Sequence, residues 1–206
     1  VWLRTPRSRY FLFFLIVTSV AYAGGEAINR ALHQHPTLAG FDMCHGGGCA
    51  GEEIVSLSDE EWALVNDEFD PLPENAEQER SAVANAIAAM ERIVGAKTGT
   101  DTDRGGTFGN SAYPGQLDCN DESVNSTTYM KLMLQAGLIQ FHEVMDTKTR
   151  NFFFNGWPHT TAVIREQQSG QLYAVDSWFY DNGVPAVILP LEVWQAGWKP
   201  DDTATH

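Results

Sequence analysis

Three residues of this chain have types and an order that could do nucleophilic chemistry: Cys119, His159 and Asp176. A cysteine attacks as its thiolate, and an ordinary thiol titrates near ~8.5, so it needs help from a base or a field. Cys119 closes a turn-rich loop and stands at the start of a helical pattern, where the positive end of the helix dipole favours an anion. The nearby acids Asp118, Asp121 and Glu122 oppose that field but suit a first helical turn. His159 opens a strand pattern just after Trp157 and Pro158. Asp176 falls near the end of the next strand. In a hairpin centred on Gln168 and Ser169, position 159 faces position 178. Position 176 is then a diagonal neighbour on the same face, within ~7–8 Å. A one-residue slip would put the two on opposite faces. In this arrangement His159 takes the thiol proton and later protonates the leaving group, while Asp176 holds the tautomer and stabilises the imidazolium. The backbone N–H of Cys119 and the side-chain amide of Gln116 are candidate oxyanion donors. Taken singly, each residue has a plainer role: a small buried hydrophobe, a strand-surface histidine, a turn aspartate. The order of all three, with Trp157, Trp178, Phe179 and Tyr180 beside two of them, favours the site.

The surrounding elements can be read from pattern and punctuation. Residues 27–33 suggest a short helix ended by Pro36, and 41–51 a glycine-rich loop. Ser58 with Glu61 forms a capping box that opens a helix to about Asn66. After Asp70-Pro71-Leu72-Pro73, Asn75 caps a longer helix. Val83, Ile87, Met90 and Val94 share one face of it, and Gly95 is its expected stop. Residues 96–118 form a long loop of the kind that is uncommon unless functional. Its acids Asp101 and Asp103 lack the alternating pattern and final glutamate of a calcium loop. A helix spans about Asn120 to Ala136, with Gly137 as its stop. Strands are expected at 138–145, 151–154, 159–165, 172–176 and 185–189, with 146–150 as a turn and a last helix over 191–198. Helices first and strands after make the α+β class.

The chain has 206 residues and a formal net charge of -14. That balance argues against a phosphate backbone as partner and suits a solvated acidic surface. Arg4, Arg7 and Arg9, the apolar run 11–17 and Ala21-Tyr22-Ala23 read as an export signal over residues 1–23, with one domain over 24–206. The expected address is periplasmic or secreted, with no stable membrane association once the signal is removed. Of three cysteines, Cys44 and Cys49 flank His45-Gly46-Gly47-Gly48, which turns tightly enough for a disulfide. Cys119 is then the odd thiol. The alternatives are unpaired thiols, or a metal site on Cys44, His45 and Cys49, an incomplete ligand set.

The run Leu117-Asp118-Cys119-Asn120-Asp121, continuing through Met130 to Ala136-Gly137-Leu138, resembles the bacterial transglutaminase-like cysteine proteinases. Their core is Gly-Asp-Cys-Glu-Asp, opening a helix that ends in a Leu-Gly pair. The later strand histidine and the Val175-Asp176 pair match as well, and the likeness covers roughly residues 75–200. It implies a papain-like, transglutaminase-like α+β fold, with N-terminal helices and the nucleophile helix packed on a C-terminal antiparallel sheet. It further implies Cys119 as nucleophile, His159 as base and Asp176 as orienting acid. The activity implied is that of a thiol peptidase or amidase, acting on protein or peptide through a thioester and requiring no cofactor. Some members bind calcium through acids flanking the cysteine. Asp118 matches such a position, whereas Asn120 replaces an acid and Leu117 replaces the glycine. Acyl transfer to an amine, transglutaminase style, shares the same thioester. Cell-wall peptidases of the NlpC/P60 type also place Asp-Cys before a helix, but they usually carry Ser-Gly after it and often a second histidine as third member. A binding domain on the same fold, with an inert Cys119, is the non-enzymatic alternative.

Overall fold

The computed structural model describes residues 25–107, 113–150 and 158–200. The expected signal at 1–23 and the expected strand at 151–154 lie outside them. The chain is α+β. In order it forms α1 (25–32), β1 (Phe41–His45), β2 (Gly51–Val55), α2 (Asp59–Asn66), a 3-10 turn (Asp67–Phe69), α3 (Ala76–Thr98), α4 (Cys119–Gln135), β3 (His142–Arg150), β4 (His159–Glu166), β5 (Leu172–Asp176), β6 (Val187–Pro190) and α5 (Leu191–Gln195). Strands β1 and β2 make a hairpin, and β3-β4-β5-β6 make an antiparallel sheet in chain order.

The sheet is covered on both faces. Ala162, Ile164 and Val175 join Val83, Ile87 and Met90 of α3 and Met130 and Met133 of α4 in the main core. Val163 and Ala174, which point the other way, pack with Leu191 and Trp194 of α5. That is why β4 is buried at six successive positions from its first residue instead of alternating, as strands covered on both sides do. The start of β3 is held by Glu79 of α3. This fully buried carboxylate accepts the Phe141 N–H at 2.9 Å and meets His142 Nδ1 at 2.8 Å.

Four boundaries differ from the sequence expectation, each for a local reason. Residues 41–51 are a hairpin, Phe41 opposite Val55 through His45 opposite Gly51. Helix α3 runs through Gly95 and stops at Gly99, which takes the left-handed conformation. Gly95 serves close approach, because a Cβ there would lie 3.0 Å from the Asp101 backbone. The 146–150 stretch is no turn. It continues β3, with a register shift between Met145 and Lys148 taken up by a bulge. Helix α5 ends at Gln195 rather than Trp198.

Candidate active site

Helix α4 begins at Cys119 itself, because Asp118 is its N-cap. The Asp118 carboxylate accepts the N–H groups of Asn120 and Asp121, both at 2.9 Å. The Asp121 side chain returns to the Asp118 N–H, closing a capping box. By its place at the first helical position, the Cys119 N–H has no intrahelical acceptor.

The tip of the β1–β2 hairpin completes this helix start. Gly47 and Cys49 donate their N–H groups to the two oxygens of Asp121, each at 2.7 Å, and Gly48 donates to Asp118 at 2.9 Å. Gly46, Gly47, Gly48 and Cys49 all have positive φ, and N–H groups converging from such a turn make an anion nest. A Cys44–Cys49 disulfide closes the turn. The Asn125 side chain, on α4, bonds both the N–H and the C=O of Cys44, at 2.7 and 2.9 Å. Cys119 is the free cysteine, and it is buried. The bridge takes Cys44 and Cys49 out of the metal alternative. Both oxygens of Asp118 and of Asp121 already accept N–H groups, which leaves a poor donor set for calcium. Among the described residues no group of three His, Cys, Asp or Glu side chains could hold a metal ion.

The sheet supplies the other two residues. The β4–β5 ladder pairs Ala162 with Val175, a register that carried outward sets position 159 against 178 and keeps 176 on the face of 159. His159 Nε2 meets Asp176 Oδ2 at 2.7 Å, with both side chains buried. The Trp194 indole N–H donates to the same oxygen at 2.6 Å. The imidazole lies among Trp178, Phe179 and Trp194, with ring centroids 4.5, 5.1 and 5.5 Å away. Its other nitrogen, Nδ1, is buried and has no hydrogen-bond partner among the described residues. The Thr160 N–H, next in the chain to His159, acts on the Cys119 thiol, so the start of β4 lies by the start of α4. Burial pushes the Cys119 thiol up to about 11; the Thr160 N–H opposes this and the charges of Asp118 and Asp176 add to it. The resting group at neutral pH is therefore the thiol.

The Gln116 side chain is engaged within the loop. Its amide accepts the Arg104 N–H at 3.1 Å and donates to the Thr102 carbonyl at 2.9 Å, bracing the loop before Cys119. Asp103 braces the same loop by accepting the Leu117 N–H at 2.7 Å. Gly105 lets the loop close on the turn after Asp176, since a Cβ there would sit 2.5 Å from the Phe179 carbonyl oxygen. Behind α4, Glu122 is bonded by the Ser177 hydroxyl and Glu91 accepts the Gly183 N–H at 2.9 Å.

Sequence reasoning missed Trp194, Arg150 and the hairpin nest. The glycine run bracketed by Cys44 and Cys49 was the one local signal of the nest. Trp194 and Arg150 carry none, because docking of α5 and β3–β4 pairing bring them in. No family model, characterised protein or solved structure matches this chain.

Proposed function

We propose that this protein is an exported thiol peptidase or amidase on a papain-like, transglutaminase-like fold, with Cys119, His159 and Asp176 as its triad. The observation that carries the reading is the buried His159 Nε2–Asp176 bond, which leaves Nδ1 as the ring nitrogen without a partner among the described residues, on the strand whose next N–H acts on the Cys119 thiol. The Cys119 S–H proton passes to Nδ1 and the electron pair stays on sulfur. The thiolate adds to the substrate carbonyl, and the Cys119 N–H stands where an oxyanion would form. The imidazolium then protonates the leaving amine, and water, activated by the same imidazole, hydrolyses the thioester. Asp176 keeps the imidazole in one tautomer and is paired when it becomes charged. No metal enters these steps. The disulfide supports an oxidising compartment.

Alkylation tests the reading. Folded protein treated with iodoacetamide at neutral pH is expected to be labelled at Cys119, located by mass spectrometry, because His159 takes the proton of the resting thiol, and His159→Ala is expected to abolish that labelling. Labelling no faster than that of an ordinary thiol, unchanged by His159→Ala, would falsify it.

A further inference from the structure

We propose that Arg150 is a positioning residue of this site: its guanidinium, tethered across the β3–β4 ladder, holds the end of α5 and supplies a positive charge that favours the Cys119 thiolate. The inference rests on the acyl-transfer reading above.

Arg150 stands directly opposite His159 in the ladder. Opposed residues of an antiparallel pair share a face, with Cβ atoms ~4.5–5.5 Å apart. The guanidinium lies over the Trp194 ring at 4.7 Å and the Phe179 ring at 5.9 Å, the two rings that also flank His159. One terminal nitrogen donates to the carbonyls of both Trp194 and Trp198 at 2.8 Å. This grip fixes the end of α5, whose Trp194 indole donates to Asp176. The buried Nε has no hydrogen-bond partner among the described residues. The tethers are neutral carbonyls, and among the described residues no carboxylate forms a direct ion pair with the guanidinium. Arg150 interacts electrostatically with Asp176 and Cys119, although burial, the larger effect, lowers its own affinity for the proton.

The charge matters because the sulfur is otherwise badly placed for ionisation. The charged groups bearing on it are Asp118 at the head of α4 and Asp176 on β5, with Arg150 on β3 and His159 on β4. Asp121 and Glu122, in the first turn of α4, are pushed by burial toward their neutral forms. Arg150 is the permanent cation in this set. When the S–H bond breaks and the N–H bond forms at Nδ1, it stabilises the thiolate without taking a proton itself.

The test is the pH profile of Cys119 alkylation by iodoacetamide in wild type, Arg150→Met, Arg150→Gln and Arg150→Lys. The glutamine variant keeps an amide donor for the α5 carbonyls and guards against loss of folding in the methionine variant. Removing the charge is expected to move the ionisation limb up by about one pH unit and slow neutral-pH alkylation about tenfold, with Arg150→Lys restoring most of it. A folded neutral variant with the wild-type profile overturns the proposal, and so does Arg150→Lys displaced as far as Arg150→Gln. A wild-type thiol that is unreactive and indifferent to His159→Ala fails the parent reading instead.

Discussion

At the scale of the residue, one oxygen governs the site. Asp176 Oδ2 accepts from both His159 and Trp194, so the carboxylate is aimed before any charge develops on the imidazole. Asp176→Asn keeps the shape and removes the charge. It is expected to slow acylation by an activated ester on the order of 10²-fold or more while thermal unfolding hardly moves. Equal losses in Asp176→Asn and Asp176→Leu would mean that the charge is irrelevant. Gln116 leads to the opposite expectation. Its amide braces the loop through Arg104 and Thr102, so Gln116→Ala should cost about 1 kcal/mol of stability and leave acylation within about twofold. A loss on the order of 10²-fold in turnover, as for a deleted oxyanion donor, would restore it to that role. The pairing of His159 with Asp176 was legible because hairpin arithmetic on Gln168 and Ser169 gives the register that the ladder adopts. Arg150 and Trp194 were not, because nothing local in the sequence marks a residue that acts through tertiary pairing.

At the scale of the element, the β1–β2 hairpin works as a clamp on the head of α4. Its three N–H bonds to Asp118 and Asp121 depend on a turn that the Cys44–Cys49 bridge holds closed. The Cys44→Ser/Cys49→Ser variant is therefore expected to lose on the order of 2 kcal/mol and to alkylate Cys119 more slowly, because the capping acids lose donors and the first turn frays. Calorimetry and alkylation on the same samples check both halves. A destabilised variant with an unaltered Cys119 would leave the clamp purely structural. The hairpin escaped sequence reading because β2 is exposed at its three central positions, Glu52, Glu53 and Ile54, so no period of two emerges. The helices α2 and α3 were readable from Ser58 and Asn75, whose caps are local. The end of α3 was misread because Gly95 is there to admit the Asp101 backbone, a long-range demand that a capping rule cannot register.

At the scale of the whole molecule, the net charge of -14 suggested only a solvated acidic surface, yet part of it lies inside. Glu91, Asp103, Asp121 and Glu122 are all buried. Burial raises Glu91 to about 7 and Asp121 to about 6, and it holds Asp103 and Glu122 above the usual carboxylate range too. A carboxyl whose affinity for its proton is higher folded than unfolded favours the folded state most below its unfolded value, near ~4.3. That contribution is lost as pH rises through the folded value. Stability should therefore fall between about pH 5 and pH 8. Below that window, surface carboxylates such as Glu61, drawn down by its bond to Lys97, begin to act in the opposite sense. Calorimetry at pH 5.5 and pH 8 is expected to give the higher melting temperature at pH 5.5. Glu91→Gln, which keeps an acceptor for the Gly183 N–H but cannot ionise, should flatten the difference. A wild-type melting temperature that is level or rising across this window would show that these carboxyls ionise freely in the folded protein. The negative charge stored behind α4 would then bear directly on Cys119, and the neutral-pH alkylation rate of Glu91→Gln would exceed that of wild type.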